Sequence, residues 1–326
     1  MKIDFVITWV DGSDEKWIED YNRYSNKPID KHRYRDWGLL KYWFRAVEKY
    51  ASWVNKVYFV TYGHIPQWLD TSYSKLVIVK HSDFIEKKYL PTFNSCVIEL
   101  NLHKIKGLSE NFVYFNDDMF LNNFVNKEDF FKNDLPCDSV ILSHIWSRGL
   151  NSTCINYNCS YIVNKYYKIK KLKKQRNVTI KRDIKNIVRK ICFFNKKNMM
   201  CIIPQHVPTS YLKKTFSNVW DKEKLFLEDI CSHKFRTNND VSQWIFQFWQ
   251  IASGNFVSRD LRFSKYYQIE TNTLNETLDE IKKGKYKLIC LNDGEKTKDY
   301  EINMKRIEET FKEIYPNKSQ FEKKEN

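Results

Sequence analysis

The feature that most constrains this chain is a repeated one. Short, β-branched apolar runs stop at acidic or amide turn residues and give way to amphipathic helical spacing. Ile3 to Val10 is the first run and closes at Asp11-Gly12. Val57 to Thr61 and Leu76 to Val79 repeat it, and Phe112 to Phe115 ends at Asn116-Asp117-Asp118. Apolar runs this short, bounded by turn signals, read as buried strands. Between them, Asp36 to Tyr50 sets Leu39, Leu40, Trp43, Phe44 and Val47 at helical spacing, and Asn94 to His103 suits a second helix. Strands alternating with helices predict an α/β fold with a mostly parallel sheet and helices on its faces. In open sheets of that kind, ligands sit beyond the carboxyl ends of the strands, where the strand order reverses. Asp11-Gly12 and Asp117-Asp118 are therefore expected on one rim, although they are far apart in sequence.

From Lys165 to Lys190 the character changes, with twelve basic residues facing a single acid, Asp183. Ile184, Ile187 and Val188 would form an apolar stripe if the second half were helical. The reading is a basic, helical insertion over 165–200. It separates a first half, 1–164, from a second half, 201–326. In that second half, Asp240 to Ala252 reads as a helix with Val241, Trp244, Ile245 and Phe248 on one face. Leu288 to Leu291 reads as a strand ending at Asn292-Asp293-Gly294, and Glu301 to Tyr315 as a terminal helix stopped by Pro316.

The formal net charge of +15 predicts a surface that attracts anions, although a Lys-rich coding bias produces the same number. The basic stretch suits peripheral contact with an anionic membrane, a phosphorylated polymer, or solvent alone. No nucleic-acid-binding signature accompanies it, so nucleic acid is not expected as a partner. The eight cysteines form no CxxC pair or regular framework, which suits free thiols in a reducing compartment. No secretory leader opens the sequence, and no run approaches the roughly 20 apolar residues of a membrane span. The expectation is a cytoplasmic protein, at most peripheral at the inner face of the membrane.

Several residue groups have the chemistry for a site, and each also has a structural reading. Asn116-Asp117-Asp118 after an apolar strand can hold Mg²⁺ or Mn²⁺ on a diphosphate, or can simply form a turn. Trp9 can stack on a base, and Gly12, beside Asp11, lets backbone approach a phosphate; the same residues make an ordinary strand-to-turn junction. His206 can take a proton from an attacking hydroxyl, or be a hydrogen-bonded core histidine. Arg236 can grip a phosphate bidentately, or pair with Asp240 to fasten a helix start; Arg35 and Arg45 carry the same two readings.

Taken in order, these segments resemble the Stealth family. Ile3 to Asp14 (IDFVITWVDGSD) is similar to its first signature block. The second block runs from Tyr34 to Leu121. It takes in Tyr34-Arg35-Asp36, Phe44-Arg45, Gly63-His64-Ile65-Pro66-Gln67-Trp68-Leu69, Leu90-Pro91-Thr92-Phe93-Asn94-Ser95, Ile98-Glu99 and Asn116-Asp117-Asp118. His206-Val207-Pro208, His233-Lys234-Phe235-Arg236 and Asp240-Val241 resemble the third. Leu291-Asn292-Asp293, Tyr315 to Ser319 and Phe321-Glu322 resemble the fourth. Leu39, after Gly38, departs from a position that is often acidic in the family, and the basic insertion has no counterpart in the pattern.

The resemblance implies a GT-A-like, Rossmann-type catalytic fold and transfer of a hexose 1-phosphate from a UDP-sugar to a sugar hydroxyl, with UMP released. On that reading Trp9, Asp11, Gly12 and Arg35 hold the nucleotide, with Asn116 and Asp240 beside the substrate. Asp117 and Asp118 fix the divalent ion, and Arg45 and Arg236 stabilise the phosphoryl oxygens. His206, or Asp118, is the base, and Asn292 positions acceptor or phosphate. Two rival readings stand beside it: a metal-dependent glycosyltransferase releasing UDP, and a non-catalytic basic adaptor at a membrane surface.

Overall fold

The computed structural model describes residues 1–30, 34–146, 152–174, 178–180, 198–293 and 299–324. Strand β1 (Ile3–Trp9) is buried along almost its whole length. Helix α1 (Glu15–Tyr24) follows, started by the Asp14 carboxylate, which accepts from the Trp17 N–H. Helix α2 (Leu40–Tyr50) buries Leu40, Trp43, Phe44, Ala46 and Val47, the stripe its spacing predicts. Strands β2 (Val57–Thr61) and β3 (Leu76–Lys80) come next, then α3 (Ser95–Asn101), capped by the Asn94 side chain on the Cys96 N–H. Strand β4 (Asn111–Phe115) completes the first half and is buried throughout.

These strands form one sheet in the order β3-β2-β1-β4, all parallel, extended by an antiparallel strand from the second half, β11 (Thr209–Leu212). The chain leaves β1 toward β2 and β3, then returns through α3 to β4 on the other flank of β1. The order therefore reverses between β1 and β4. Ile7 pairs with Phe115, so the two carboxyl ends lie side by side. The common rim for Asp11 and Asp117-Asp118 is thus a product of topology.

Helices cover both faces. Phe5 and Ile7 of β1 face one core, shared with α2, α8 (Leu274–Lys282) and α9 (Tyr300–Ile314). Val6 faces the other, shared with α3, α5 (Ser152–Tyr166), α6 (Lys213–Ser232) and α7 (Trp244–Ser253). A side chain such as Trp43 or Phe59, fully removed from water, stabilises the fold by roughly 1.5–3 kcal/mol. The α/β, mostly parallel architecture read from the sequence is the one observed.

Small sheets enclose the carboxyl-end rim. Strand β5 (Met119–Leu121) pairs with β14 (Leu288–Asp293), which pairs in parallel with β13 (Ser264–Ile269). After the turn α4 (Lys127–Phe130), strands β6 (Phe131–Lys132) and β7 (Leu135–Asp138) join β12 (Val257–Ser258). Strand β8 (Val140–Trp146) is flanked by β9 (Val178–Ile180) and β10 (Asn198–Ile202). The two halves are therefore interleaved, with β11 and β14 of the second hydrogen-bonded to strands of the first.

The described part of 165–200 holds the end of α5, a 3₁₀ segment and short strands, while the helix expected in its second half falls outside the described residues. After α5 ends, a 3₁₀ turn at Ile169–Lys174 buries Ile169 and Leu172 and leaves Lys168, Lys170, Lys171 and Lys173 exposed. Val178-Thr179-Ile180, β-branched throughout, then pairs with β8 as a strand. The stripe of Ile184, Ile187 and Val188 lies outside the described residues.

Candidate active site

Asp118 is the hub. It sits just beyond β4, its main-chain carbonyl accepts from the Leu291 N–H of β14 at 2.8 Å, and its Oδ2 meets His206 Nε2 at 3.2 Å. A carboxylate only accepts, so Nε2 carries a proton, and in the neutral imidazole Nδ1 is the unprotonated nitrogen. Cys290 Sγ also donates to Oδ2 at 3.2 Å. Burial and the two adjacent aspartates hold the Cys290 thiol well above its ordinary pKa, so the sulfur remains a donor rather than a thiolate. Asp118 Oδ1, by contrast, is buried with no hydrogen-bond partner among the described residues.

Burial disfavours a charge on His206, but Asp118 and, more weakly, Glu99 outweigh it, and its pKa lies above the usual histidine value. The residue adopts φ 51°, rare for a side chain of this size, and such backbone strain tends to cluster at functional sites. Asp117 keeps an exposed edge, yet protein crowds it, and with the charges of Asp118 and Asp36 its carboxyl is pushed up to about 7. The neighbouring acids raise the cost of ionising Asp117, which a cation would relieve.

Asp118, His206 and Cys290 bring ligand atoms within 4.8 Å of one another. With the thiol protonated, the set favours a hard ion on carboxylate oxygen over a thiolate-bound one. The orphaned Asp118 Oδ1 and the Asp117 carboxyl, whose ionisation a cation would favour, fit such an ion.

A cavity of about 990 Å³ opens beside this hub, and Asn116, His206, Arg236 and Asn292 all line it. Arg236 donates through Nη2 to Ser95 Oγ, while its buried Nε has no partner. Glu99, 4% exposed, lines the same cavity and accepts from the Gln243 N–H at the start of α7, where a helix N-terminus favours negative charge. Asn116 Oδ1 accepts from the Tyr114 hydroxyl at 2.7 Å, and Asn292 Nδ2 donates to the Asp293 carbonyl at 3.1 Å.

The remaining predicted residues are placed differently. Arg45 forms a bidentate pair with Glu322 at 2.7 and 2.6 Å and donates to the Tyr315 carbonyl, well away from the cavity lining. Asp240 is fully buried and accepts from Asn94, His233 and Thr237, tying the Arg236 loop to α3 rather than facing a ligand. Trp9 is 8% exposed, stacked on Phe59 and edge-on to His64, so its ring packs into the core instead of presenting a face to a base. A β-carbon on Gly12 would stand 2.2 Å from the Tyr34 carbonyl oxygen; the glycine admits the chain's own backbone. The Asp11 carboxylate accepts from the Ser13 N–H and hydroxyl, and its N–H donates to His64 Nε2. Arg35 pairs with Asp293 and lies 4.0 Å over the Tyr300 ring, with one buried nitrogen unpartnered.

Sequence reasoning assigned no role to Glu99, Gln243, Tyr266 or Cys290, and counted Trp244 as core. Glu99 did leave a signal, an acid among the otherwise apolar or amide residues of a short helix.

Three family models match the chain: Stealth protein CR1, conserved region 1, over residues 1–28; Stealth protein CR2, conserved region 2, over 33–137; and Stealth protein CR4, conserved region 4, over 279–326. Full-length relatives also span the stretch that carries His206 and Arg236. The capsular polysaccharide phosphotransferase WcwK of Streptococcus pneumoniae is 44% identical over 99% of this chain and 98% of its own length. The receptor polysaccharide phosphotransferase WefC of Streptococcus oralis is 38% identical over 98% and 99%, respectively. The exopolysaccharide phosphotransferase cps2G of Lactiplantibacillus plantarum is 37% identical over 98% and 96%. Among solved structures, the galactosyltransferase LgtC with donor and acceptor sugar analogs overlays at a TM-score of 0.39, with 10% identity, over 97% of this chain and 98% of that one. A likeness that loose decides nothing about chemistry. With three conserved regions in order and full-length relatives at 37–44% identity, the chain belongs to the Stealth protein family.

Proposed function

We propose that this protein transfers a hexose 1-phosphate, of the N-acetylhexosamine type, from a UDP-sugar to a hydroxyl of a saccharide acceptor in the synthesis of bacterial capsule or surface polysaccharide. The observation that carries the reading is the contact of Asp118 with His206, which lines one cavity together with Arg236, Asn116 and Asn292. It is supported by relatives named as polysaccharide phosphotransferases over nearly their full length.

Asp118, through its orphaned Oδ1, and Asp117 would hold Mg²⁺ or Mn²⁺, which when bound neutralises a diphosphate and its leaving group. His206 Nδ1 takes the proton of the acceptor hydroxyl while Asp118 Oδ2 holds the imidazole by its other nitrogen. The acceptor oxygen forms a bond to the sugar-bearing phosphorus, the bond from that phosphorus to UMP breaks, and UMP leaves with the electron pair. The anomeric C–O bond is untouched, so its configuration is kept. Arg236, with an unpartnered Nε beside the cavity, meets charge on the phosphoryl oxygens. Arg35 and the Asp11 loop border the nucleotide side.

The test is the by-product. Labelled UDP-GlcNAc, Mg²⁺ and acceptor oligosaccharide should yield UMP and a phosphodiester. UDP as the sole nucleotide product overturns phosphoryl transfer in favour of glycosyl transfer. Among the described residues no helix is long and apolar enough to cross a membrane.

A further inference from the structure

The cavity is larger than its catalytic corner, and a second lobe of its wall comes from α5, α7 and β13. Among the described residues that line it, none comes from β1 or β2. His206 stands at the junction. Its Nε2 contacts Asp118, and its ring is met edge-on by Trp244 at 6.4 Å and 81° and by Tyr266 at 6.0 Å and 71°.

We infer that this lobe, walled by Trp244 and Tyr266 and floored by Gln243, seats one pyranose ring of the saccharide acceptor; the inference rests on the transfer reading above. A pyranose has a C–H face, which packs on aromatic rings, and a rim of hydroxyls, each needing a partner. The lobe offers both. Tyr266 is 40% exposed on the cavity wall, although a ring of this size is ordinarily covered. Gln243 is 4% exposed, yet its Oε1 is a buried acceptor without a donor. A sugar hydroxyl supplies that donor. Ligand pockets run from about 300 to 1,000 Å³, so a cavity of about 990 Å³ has room for a transferred hexose phosphate with a second ring beside it.

The position also has a catalytic reason. A base between the two substrates must reach the acceptor hydroxyl while its other nitrogen is held. With Nε2 occupied by Asp118, Nδ1 is the nitrogen left for a ring lying between the two aromatic residues. Trp244 and Tyr266 are positioning residues in this scheme, acting through the sugar they hold. A uracil base would also stack and, through its N3–H, donate such a hydrogen bond, and the experiment separates that case.

Saturation-transfer NMR on the full chain tests the lobe without turnover. The probes are methyl β-D-galactopyranoside, methyl β-D-glucopyranoside and methyl N-acetyl-β-D-glucosaminide. UDP affinity with Mg²⁺ is measured in parallel by calorimetry. At least one glycoside should give signal on the wild type. That signal should weaken about tenfold in Tyr266→Ala and in Gln243→Met, with UDP affinity held within about twofold. Tyr266 is surface-exposed and Met keeps the volume of Gln, so neither variant depends on rebuilding the core. Absence of glycoside signal on the wild type, or its survival in both variants, overturns the assignment. A tenfold loss of UDP affinity does so too, since the lobe would then hold the base. No product is read, so the outcome is independent of whether UMP or UDP leaves the enzyme.

Discussion

Asp118 has one carboxylate oxygen engaged by His206 and Cys290 and one with nothing to bind. Replacing it by Asn keeps shape but removes the charge that a cation and an imidazolium both need. Asp118→Asn should lower UMP release to background while the thermal midpoint stays near wild type, measured by coupled assay and calorimetry. A variant retaining near-normal turnover would remove both roles. His206→Ala should slow transfer by roughly 10²–10⁴-fold, the usual worth of a general base; single-turnover rates with saturating donor check it. At this scale the sequence was informative about residue type and poor about direction. Asp118, His206 and Arg236 were each proposed from chemistry; His206 and Arg236 line one cavity, and Asp118 contacts His206. Trp9 was misdirected because a strand buried on both faces shows no alternation, and nothing in its pattern says which side chains point at a rim.

Elements explain why some predicted residues have other work. Helix α2 is bound to the carboxyl-terminal tail through Arg45, whose guanidinium spans Glu322 and the Tyr315 carbonyl. The pair's side chains are only 11% and 5% exposed, so removing one partner strands a buried charge. Arg45→Ala should cost about 3–5 kcal/mol in urea unfolding. UMP released per folded molecule should change little, and a kinetic loss without a stability loss would return Arg45 to the phosphoryl site. The strands β1, β2, β4 and β14 were legible because each is a short apolar run, three of them closed by Asn, Asp or Gly. The antiparallel β11 and the sheets around β7 and β8 were not. Their strands are short or mixed in polarity, and their pairing depends on contacts far away in sequence.

Two of the described histidines are held neutral far below the ordinary range. Burial, helped at His103 by Lys104 and Lys213, lowers His81 and His103 to about 3. Between that value and the ordinary 6.5, the unfolded chain binds protons that the native chain refuses. Stability from these groups is therefore complete above pH 6.5 and is lost as pH falls toward 3. His81→Asn and His103→Gln should each flatten the decline in unfolding free energy between pH 6.5 and 4 relative to wild type, measured by denaturant titration at several pH values; parallel curves would refute the assignment. A last consequence follows from β14. The strand whose Leu291 N–H and Cys290 thiol hold Asp118 comes long after β4 in the sequence. A nascent polypeptide can shape its first crevice early, yet Asp118 lacks these partners until residues 288–293 have emerged and docked. On the proposed function, products terminated before residue 288 should release no UMP.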